Sequence, residues 1–238
     1  MSNPLSRVAR SWTELGDTDP MWAALTDGGR GGRWDPAEFL RTGRAEISDL
    51  MALLAKRGVT PKLGTALDFG CGPGRLTAGL AAAGFGKAIG VDVSPTMLAK
   101  ARELVDDDRC EFVLNDQPDL AVVPDHSVDL VYTCRVLQHM PRELAYGYIK
   151  QFLRVVAPDG VVVFQLPYVR RGVVGHGIEA IPKPLLNRLR SGMEMYGSEP
   201  SVVSRVISEA GGVTVSIEND NSAGPRWYSH LYVVRPAT

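Results

Sequence analysis

Short runs of apolar residues alternate along the chain with longer stretches in which apolar residues recur every three or four positions. The short runs predict strands and the longer stretches predict amphipathic helices. The predicted strands are Thr65–Phe69, Ala88–Val91, Glu111–Leu114, Val128–Tyr132, Gly160–Leu166, Val213–Ile217 and His230–Val234. The helices predicted between them are Arg75–Ala83, Pro95–Val105, Arg142–Val156 and Glu199–Ala210.

Helix starts are marked by capping residues. Asp35 is placed to cap a helix whose first residue is Pro36, and Glu38 occupies the third helical position that a capping box requires. The helical spacing that follows continues to Gly58. Ser94 and Pro95 repeat this pair of capping residue and first helical residue before the helix predicted at Pro95–Val105.

The order of these elements predicts the fold class. Strands that alternate with helices, and whose residues are almost all apolar, are typical of an open, mostly parallel α/β sheet with helices on both faces. The two closing strands are joined by a short link, so we expect them to be antiparallel neighbours.

Two segments lie outside this alternation. Residues 17–33 are rich in Gly and Asp and predict a loop or mobile flap, so we expect residues 1–34 to form an N-terminal lid or flexible segment. Residues 35–238 are expected to form a single domain, within which residues 168–198 show no clear period and form an insertion.

Charge and cysteine content narrow the function classes. The 26 Lys and Arg residues nearly balance the 27 Asp and Glu residues, which argues against a broadly basic nucleic-acid binder and against a polybasic membrane anchor. No run of 18 apolar residues is present, and the first thirty residues lack the apolar run of a signal peptide. Three cysteines without metal-ligand spacing favour a reducing, cytoplasmic location.

The most informative loop follows the first predicted strand. Gly70, Gly72 and Gly74 lie between a strand and a helix, where open α/β sheets bind ligands. The spacing does not match a dinucleotide fingerprint, because Arg75 stands where the third glycine would be. The loop also lacks the Lys-Ser/Thr pair of a phosphate-binding loop.

Polar side chains at three successive strand ends point to a different ligand. Asp68 stands at the end of the first strand, where a carboxylate could hold an ammonium group. Asp92 ends the second strand, where a carboxylate can accept hydrogen bonds from ribose hydroxyls. Asn115 and Asp116 end the third strand, where either could accept a hydrogen bond from an adenine amine.

With these features the chain resembles the class I S-adenosylmethionine-dependent methyltransferases, in particular their small-molecule branch. The resemblance covers about residues 35–236. The segments that carry it are Leu67–Gly74, Gly90–Ser94 with Met97 and Leu98, Val128–Val131, Val136–Met140 and Leu153–Gly160.

The resemblance implies a Rossmann-like seven-stranded sheet with an antiparallel last strand, and S-adenosylmethionine as the cofactor at the carboxyl edge of the sheet. It also implies a lid formed by the N-terminal segment. The residues that it places beside the cofactor are Asp68, Gly70, Cys71, Gly72, Gly74, Asp92, Val93, Met97, Asn115, Asp116, Thr133, Cys134 and Arg135.

Fewer residues are candidates for catalysis or for binding the acceptor, which is the molecule that receives the methyl group. The insertion at residues 168–198 would cover this acceptor. His139 follows the fourth strand and is the first candidate for a general base, with His176 in the insertion as the alternative. The acceptor would meet some of the basic and aromatic residues near the site, although each of these could equally serve in packing or at the surface. These acceptor-binding candidates are Arg135, Tyr168, Arg170, Arg171, Trp22 and Phe39, with Trp12 and Trp34 as further aromatic residues of the N-terminal segment.

The expected function is methyl transfer from S-adenosylmethionine by in-line displacement to a small-molecule acceptor, with a hydroxyl of a metabolite, sugar or secondary metabolite as the leading choice. The alternatives are an RNA or protein methyltransferase and a non-catalytic S-adenosylmethionine-binding module. No metal is expected, because no cluster of metal-binding residues is evident. Nucleic acid and membrane partners are not expected, and the oligomeric state is open between monomer and homodimer.

Overall fold

The computed structural model describes residues 4–26, 31, 34–170 and 194–237. Helices and strands alternate through most of this range. The helices are α1 (Pro4–Thr18), α2 (Pro20–Ala24), α3 (Pro36–Lys56), α4 (Arg75–Ala82), α5 (Pro95–Leu104), α6 (Arg142–Val155) and α7 (Pro200–Glu209). The strands are β1 (Thr65–Phe69), β2 (Lys87–Asp92), β3 (Cys110–Leu114), β4 (Val128–Thr133), β5 (Val156–Arg170), β6 (Gly212–Asp220) and β7 (Trp227–Pro236).

The strands form one seven-stranded sheet in the order β3-β2-β1-β4-β5-β7-β6. Neighbours among β1 to β5 pair in parallel, whereas β7 is antiparallel to both β5 and β6. This confirms the expected fold class, including the antiparallel last strand. Because β1 to β4 run in the same direction, the loops that follow them meet at one edge of the sheet.

Helices cover the sheet on two sides, and each side has its own apolar core. One core joins the sheet to α6 and α7 through fully buried side chains such as Phe152 and Val203. The other joins it to α3 and α4 through Ile47, Leu54 and Leu80. This two-sided burial explains why the strand sequences are almost continuously apolar.

Several element boundaries differ from the sequence prediction. β5 starts at Val156 and continues to Arg170, and β6 and β7 extend well beyond the predicted apolar runs. The antiparallel pairing of β5 with β7 continues from Val162 opposite Val234 to Arg170 opposite Trp227. Cross-strand hydrogen bonds therefore extend these strands past the apolar core, where the local pattern gives no indication of a strand.

The N-terminal segment is more helical than its composition indicates. The prediction of a loop over residues 17–33 is wrong for its first part, because α1 continues to Thr18 and α2 begins at Pro20. The Asp19 carboxylate accepts a hydrogen bond from Trp22 N at 3.2 Å and caps α2. Asp19-Pro20 is the same N-cap and first-turn pair as Asp35-Pro36, so the sequence does contain a sign of this helix.

Capping at α3 and α5 follows the prediction in part. The carboxylate of Asp35 accepts from Glu38 N at 2.9 Å, and Ser94 Oγ accepts from Met97 N at 3.3 Å. The Glu38 side chain, however, binds the Arg41 guanidinium, with Oε2 at 2.8 Å from Nε.

No helix in the described ranges is long and apolar enough to cross a membrane.

Helices α3 and α4 approach each other closely at two glycines. A Cβ atom on Gly43 would lie 2.0 Å from the Arg75 carbonyl oxygen, and one on Gly79 would lie 2.7 Å from the Gly43 carbonyl oxygen. Real Cβ atoms do not reach such distances from backbone atoms, so this contact depends on the absence of side chains. The contact fixes α4, and with it the loop that precedes α4.

Substitution of Gly43 tests this contact. We expect Gly43→Ala to destabilise the protein by about 1–3 kcal/mol, because the new methyl group overlaps the α4 backbone. The matched control is Gly147→Ala in α6, where a Cβ atom would meet nothing within 4 Å. That change should stabilise the protein by up to about 1 kcal/mol through helix propensity. Chemical denaturation measures both values, and equal stability of the two variants would contradict the proposed close contact.

Candidate active site

A cavity of about 330 Å³ lies at the edge of the sheet where β1 to β4 end. Its wall combines the residues after these strands with α1, α2 and the link between β6 and β7. The volume is within the range of small-molecule sites in proteins, roughly 300–1,000 Å³. Most of the predicted cofactor residues border this cavity, namely Gly70, Cys71, Gly72, Asp92, Val93, Met97, Asn115, Cys134 and Arg135.

The loop after β1 is shaped by its glycines. Gly70, Gly72 and Gly74 all have positive φ angles, of 75°, 51° and 83°. A Cβ atom on Gly70 would also lie 2.4 Å from the Val136 side chain, so glycine is required there for space as well as for conformation. Gly74 does not border the cavity in the described structure and precedes the first residue of α4, so its expected contact with the cofactor stays a prediction.

Asp92 ties the loops after β1 and β2 together. Its Oδ2 accepts a hydrogen bond from Gly72 N at 2.9 Å, and its Oδ1 accepts one from Ser94 N at 2.9 Å. Burial raises the pKa of this carboxyl, while the hydrogen bonds from the backbone oppose that shift. Val93 and Met97 continue the same wall of the cavity.

Asp68 lies beneath the loop rather than on the cavity wall. It is 1% exposed, and Thr77 Oγ1 donates to its Oδ2 at 2.7 Å. Burial raises the pKa of Asp68 to about 7. Its Oδ1 is buried and has no hydrogen-bond partner among the described residues, so the expected contact with an ammonium group stays a prediction. Thr133 is also fully enclosed at the end of β4, outside the residues that border the cavity, because its side chain packs into the interior.

The end of β3 separates the two candidates for the adenine partner. Asn115 is buried on the cavity wall, and its Nδ2 donates to the Gln117 carbonyl oxygen at 2.7 Å. Its Oδ1 is buried and has no hydrogen-bond partner among the described residues. Asp116 is exposed, accepts from the Gln117 amide at 2.9 Å and does not border the cavity, which favours Asn115 of the two candidates.

A charged cluster that the sequence did not indicate forms another part of the wall. Arg75 Nη2 and Arg135 Nη1 both donate to Glu46 Oε2, at 2.8 Å and 3.0 Å, and Tyr132 OH donates to Glu46 Oε1 at 3.0 Å. Burial disfavours the ionised form of Glu46, but the two guanidinium groups prevail and lower its pKa to about 2. Glu46 lies in α3 and Arg75 begins α4, whereas Tyr132 lies in β4 and Arg135 follows it. These residues are far apart in the sequence, so no local motif reveals the cluster.

Arg135 is held in an unusual backbone conformation. Its φ angle is 62°, in the left-handed region that residues other than glycine rarely adopt and that costs about 1–3 kcal/mol. The Arg135 N–H donates to Gln165 Oε1 at 3.2 Å, which helps to hold this conformation. Strain of this kind is typical of residues whose side chains are placed for function.

His139 lies at the cavity with both ring nitrogens engaged. Nδ1 is 2.8 Å from the carbonyl oxygen of Glu194 and must carry the proton, since a carbonyl oxygen only accepts. Nε2 therefore accepts from the Gln138 amide at 3.0 Å. The ring also packs edge-on against Trp12, with centroids 5.1 Å apart. Burial lowers the pKa of His139 to about 4, so the ring is neutral near pH 7.

Three predicted acceptor contacts do not border this cavity in the described structure. Phe39 is fully buried and packs against Trp34, because it belongs to the inner face of α3. Tyr168 stacks on His230 at 4.2 Å, on the sheet. Trp22 packs beside Leu15 in the N-terminal segment. Arg171, His176 and the Arg170 side chain lie outside the described residues.

Other parts of the wall were not predicted from the sequence. The link between β6 and β7 contributes residues 221–225. Gln138, which precedes His139, and Met195, which follows the Glu194 that His139 binds, also border the cavity. Of the N-terminal aromatic residues, Trp12 borders the cavity, together with Leu5 and Val8. The helical spacing of Leu5, Val8 and Trp12 was a usable sign that one face of this segment is buried. Within the described ranges no group of three or more potential metal ligands occurs.

Known proteins that are similar to this chain include several methyltransferases. Residues 66–160 match a family model described as a methyltransferase domain. A trans-aconitate 2-methyltransferase of an Enterobacter species is 33% identical over 135 residues, which is 56% of this chain and 51% of that protein. A 2-methyl-6-phytyl-1,4-hydroquinone methyltransferase of a Synechocystis species is 29% identical over 163 residues, 68% of this chain and 50% of that protein.

Among solved structures, magnesium protoporphyrin IX methyltransferase from Synechocystis with bound SAH superposes with a TM-score of 0.65 at 20% sequence identity. The match covers 96% of this chain and 98% of that one, and it shows a shared fold. The chain spans about half the length of the curated relatives it matches. The chain is thus similar to methyltransferases over residues 66–160, and its seven-stranded sheet belongs to a fold that it shares with a structure holding SAH.

Proposed function

We propose that this protein transfers a methyl group from S-adenosylmethionine to a small-molecule acceptor. One observation carries the proposal: the ends of β1, β2 and β3 bring three groups to the wall of one cavity. These are a glycine loop, a carboxylate, and an amide oxygen that has no partner among the described residues. These groups match, in order along the edge, the amino-acid, ribose and adenine parts of the cofactor.

The residues fit an adenosyl ligand chemically. Asp92 offers carboxylate oxygens that can accept from ribose hydroxyls, in addition to the backbone donors that they already hold. Asn115 Oδ1 is a buried acceptor with no partner among the described residues, and an exocyclic amine of adenine would satisfy it. Positive φ angles at Gly70 and Gly72 allow the backbone to approach the amino-acid end closely.

S-adenosylmethionine supplies an electrophilic methyl group whose sulfur is already a good leaving group. The protein then has mainly to hold the acceptor in line with that methyl group and to exclude water. Helices α1 and α2 are suited to the second task, because Leu5, Val8 and Ala24 face the cavity. We propose that they act as the lid expected from the N-terminal position of this segment.

His139 is the proposed proton acceptor where the acceptor group is a hydroxyl. Because Nδ1 donates to the Glu194 carbonyl, Nε2 is the atom that can take up a proton. Gln138 would have to turn its amide away from Nε2 for this to occur. With a pKa of about 4, the ring would take the proton only while the methyl group is being transferred.

Removal of the Asp92 carboxylate tests the cofactor assignment. We expect Asp92→Ala to weaken S-adenosylmethionine binding about 100-fold, because charge-assisted hydrogen bonds to the ribose are lost and the Gly72 loop loses its anchor. Asp116→Ala, which removes an exposed carboxylate at the same edge, should leave affinity within about 2-fold. Titration calorimetry measures both. Unchanged binding by Asp92→Ala would refute the placement of the cofactor.

The class of acceptor can be tested with labelled cofactor. The protein is incubated with methyl-labelled S-adenosylmethionine and a cell extract, and the small-metabolite, RNA and protein fractions are separated. We expect label in the small-metabolite fraction, and its loss with the Asp92→Ala variant. Label in RNA or protein would instead support a macromolecule methyltransferase. Binding without any transfer would support a module that binds the cofactor without catalysis.

The role of His139 predicts a pH profile. The neutral ring is the active form, so turnover should stay constant as pH falls from about 8 to 6 and should drop only as the pH approaches about 4. His139→Gln should lower kcat about 100-fold while leaving cofactor affinity unchanged. His126→Asn, at a surface turn away from the cavity, is the control. An inflection near pH 6.5 that disappears in His139→Gln would contradict the lowered pKa, and unaltered kcat would remove His139 from catalysis.

A further inference from the structure

Two arginines on the cavity wall share a single carboxylate. Arg75 and Arg135 both bind Glu46 Oε2, and the other oxygen of Glu46 accepts from Tyr132 OH. We call these three charged residues the arginine cluster. Its two cations and one anion leave one positive charge in excess at a largely enclosed site. The low pKa of Glu46 keeps its carboxylate ionised, so this excess persists across the physiological pH range.

The other acidic groups near the cavity bind neither guanidinium group. Asp92 also borders the cavity, but its oxygens accept from the Gly72 and Ser94 N–H groups. Asp68 is the closest in sequence to Arg75, but it lies beneath the loop, bonds to Thr77 and does not face the cavity. Asp220 lies near Cys134, accepts hydrogen bonds from Ser222 and Ser229, and binds neither guanidinium group. Within the described residues, Glu46 is thus the only carboxylate that binds either guanidinium group.

Arg135 is the member of the cluster that a ligand can reach. Its side chain is 26% exposed, against 5% for Arg75. Only Nη1 of its guanidinium has a hydrogen-bond partner among the described residues, which leaves the other nitrogens available to a ligand. A planar guanidinium with free N–H groups is the donor that best matches a carboxylate, which it can bind through two parallel hydrogen bonds.

Position along the sheet places Arg135 on the acceptor side. The proposed ribose and adenine contacts follow β2 and β3, whereas Arg135 follows β4, which lies on the other side of β1 in the sheet. Its backbone N–H is bound by Gln165 of β5, whose amide donates to Gln138, the partner of His139. Arg135 is therefore connected to the proposed proton acceptor and not to the adenosine contacts.

We propose that the arginine cluster binds a carboxylate group of the acceptor, with Arg135 as its direct partner and Glu46 as the residue that positions both guanidinium groups. The proposal rests on the proposed methyltransferase function and adds the chemical class of the acceptor, a small organic acid. A single excess positive charge matches a monoanionic carboxylate, and apolar residues on the same cavity wall, such as Leu76 and Ala223, suit an organic body attached to it.

Paired probes test this inference on the intact protein saturated with S-adenosylhomocysteine. Acetate, benzoate and cinnamate are each titrated against the corresponding neutral amide. We expect at least one acid to bind about 10-fold more tightly than its amide, because only the acid forms charge-assisted hydrogen bonds with Arg135. Arg135→Gln should abolish this preference, and Arg135→Lys should retain part of it. Arg41→Gln, which removes an exposed cation outside the cavity, should leave it unchanged.

The outcomes separate this inference from the proposed function. If no acid binds more tightly than its amide, or if Arg135→Gln keeps the preference, the carboxylate site is refuted. If Arg135→Gln weakens S-adenosylhomocysteine binding but not binding of methylthioadenosine, which lacks a carboxylate, the cluster serves the cofactor and the inference is also refuted. Failure of the wild-type protein to bind S-adenosylhomocysteine would refute the proposed function itself. Should Arg135→Gln fail to fold, the acid and amide comparison on the wild-type protein and on Arg135→Lys still decides.

Discussion

The carboxylate of Asp92 is the interaction on which the geometry of the cavity depends. It binds the backbone of Gly72 in one loop and of Ser94 in the next, so the ends of β1 and β2 cannot move independently. Both oxygens are turned toward backbone donors in a partly buried setting, where such hydrogen bonds are stronger than at the surface. The shape of the loop is therefore held by the protein's own hydrogen bonds. This preorganisation reduces the entropic cost of ordering the site when the cofactor binds.

The same edge of the sheet divides into two electrostatically different halves. The half that follows β1 to β3 offers acceptor atoms, those of Asp92 and Asn115, to hydroxyl and amine donors. On the other side, Arg135 follows β4 and joins Arg75 of α4 and Glu46 of α3 in the arginine cluster. Between them the wall is mostly apolar and covered by α1, which lowers the effective dielectric constant and strengthens both sets of interactions. A ligand pair with a hydroxyl-rich adenosyl part and an anionic acceptor would match this division.

The sequence predicted the parts of this protein that depend on local pattern. β1 and the starts of α4, α5 and α6 were placed correctly, because apolar period and caps such as Ser94 act within a few residues. The arginine cluster could not be found in this way, since Glu46 and Arg135 are 89 residues apart and meet only through the packing of α3 on the sheet. Likewise, the choice between Asn115 and Asp116 depends on which side chain turns inward after β3. The glycine contact between Gly43 and Arg75 was missed because a helical glycine has no distinctive local pattern.

A chain of hydrogen bonds connects Arg135 to His139. The Arg135 N–H binds Gln165, Gln165 binds Gln138, and Gln138 binds His139 Nε2, so the orientation of each amide is set by its neighbours. The direction of donation is fixed at both ends, by a backbone N–H at Arg135 and by the proton on His139 Nδ1 that faces the Glu194 carbonyl. Reversal of any one amide would leave a buried donor facing a donor, which costs about 1–3 kcal/mol. The strained backbone of Arg135 and the tautomer of His139 are therefore maintained by the same set of buried polar groups, and a change at Gln165 should affect both.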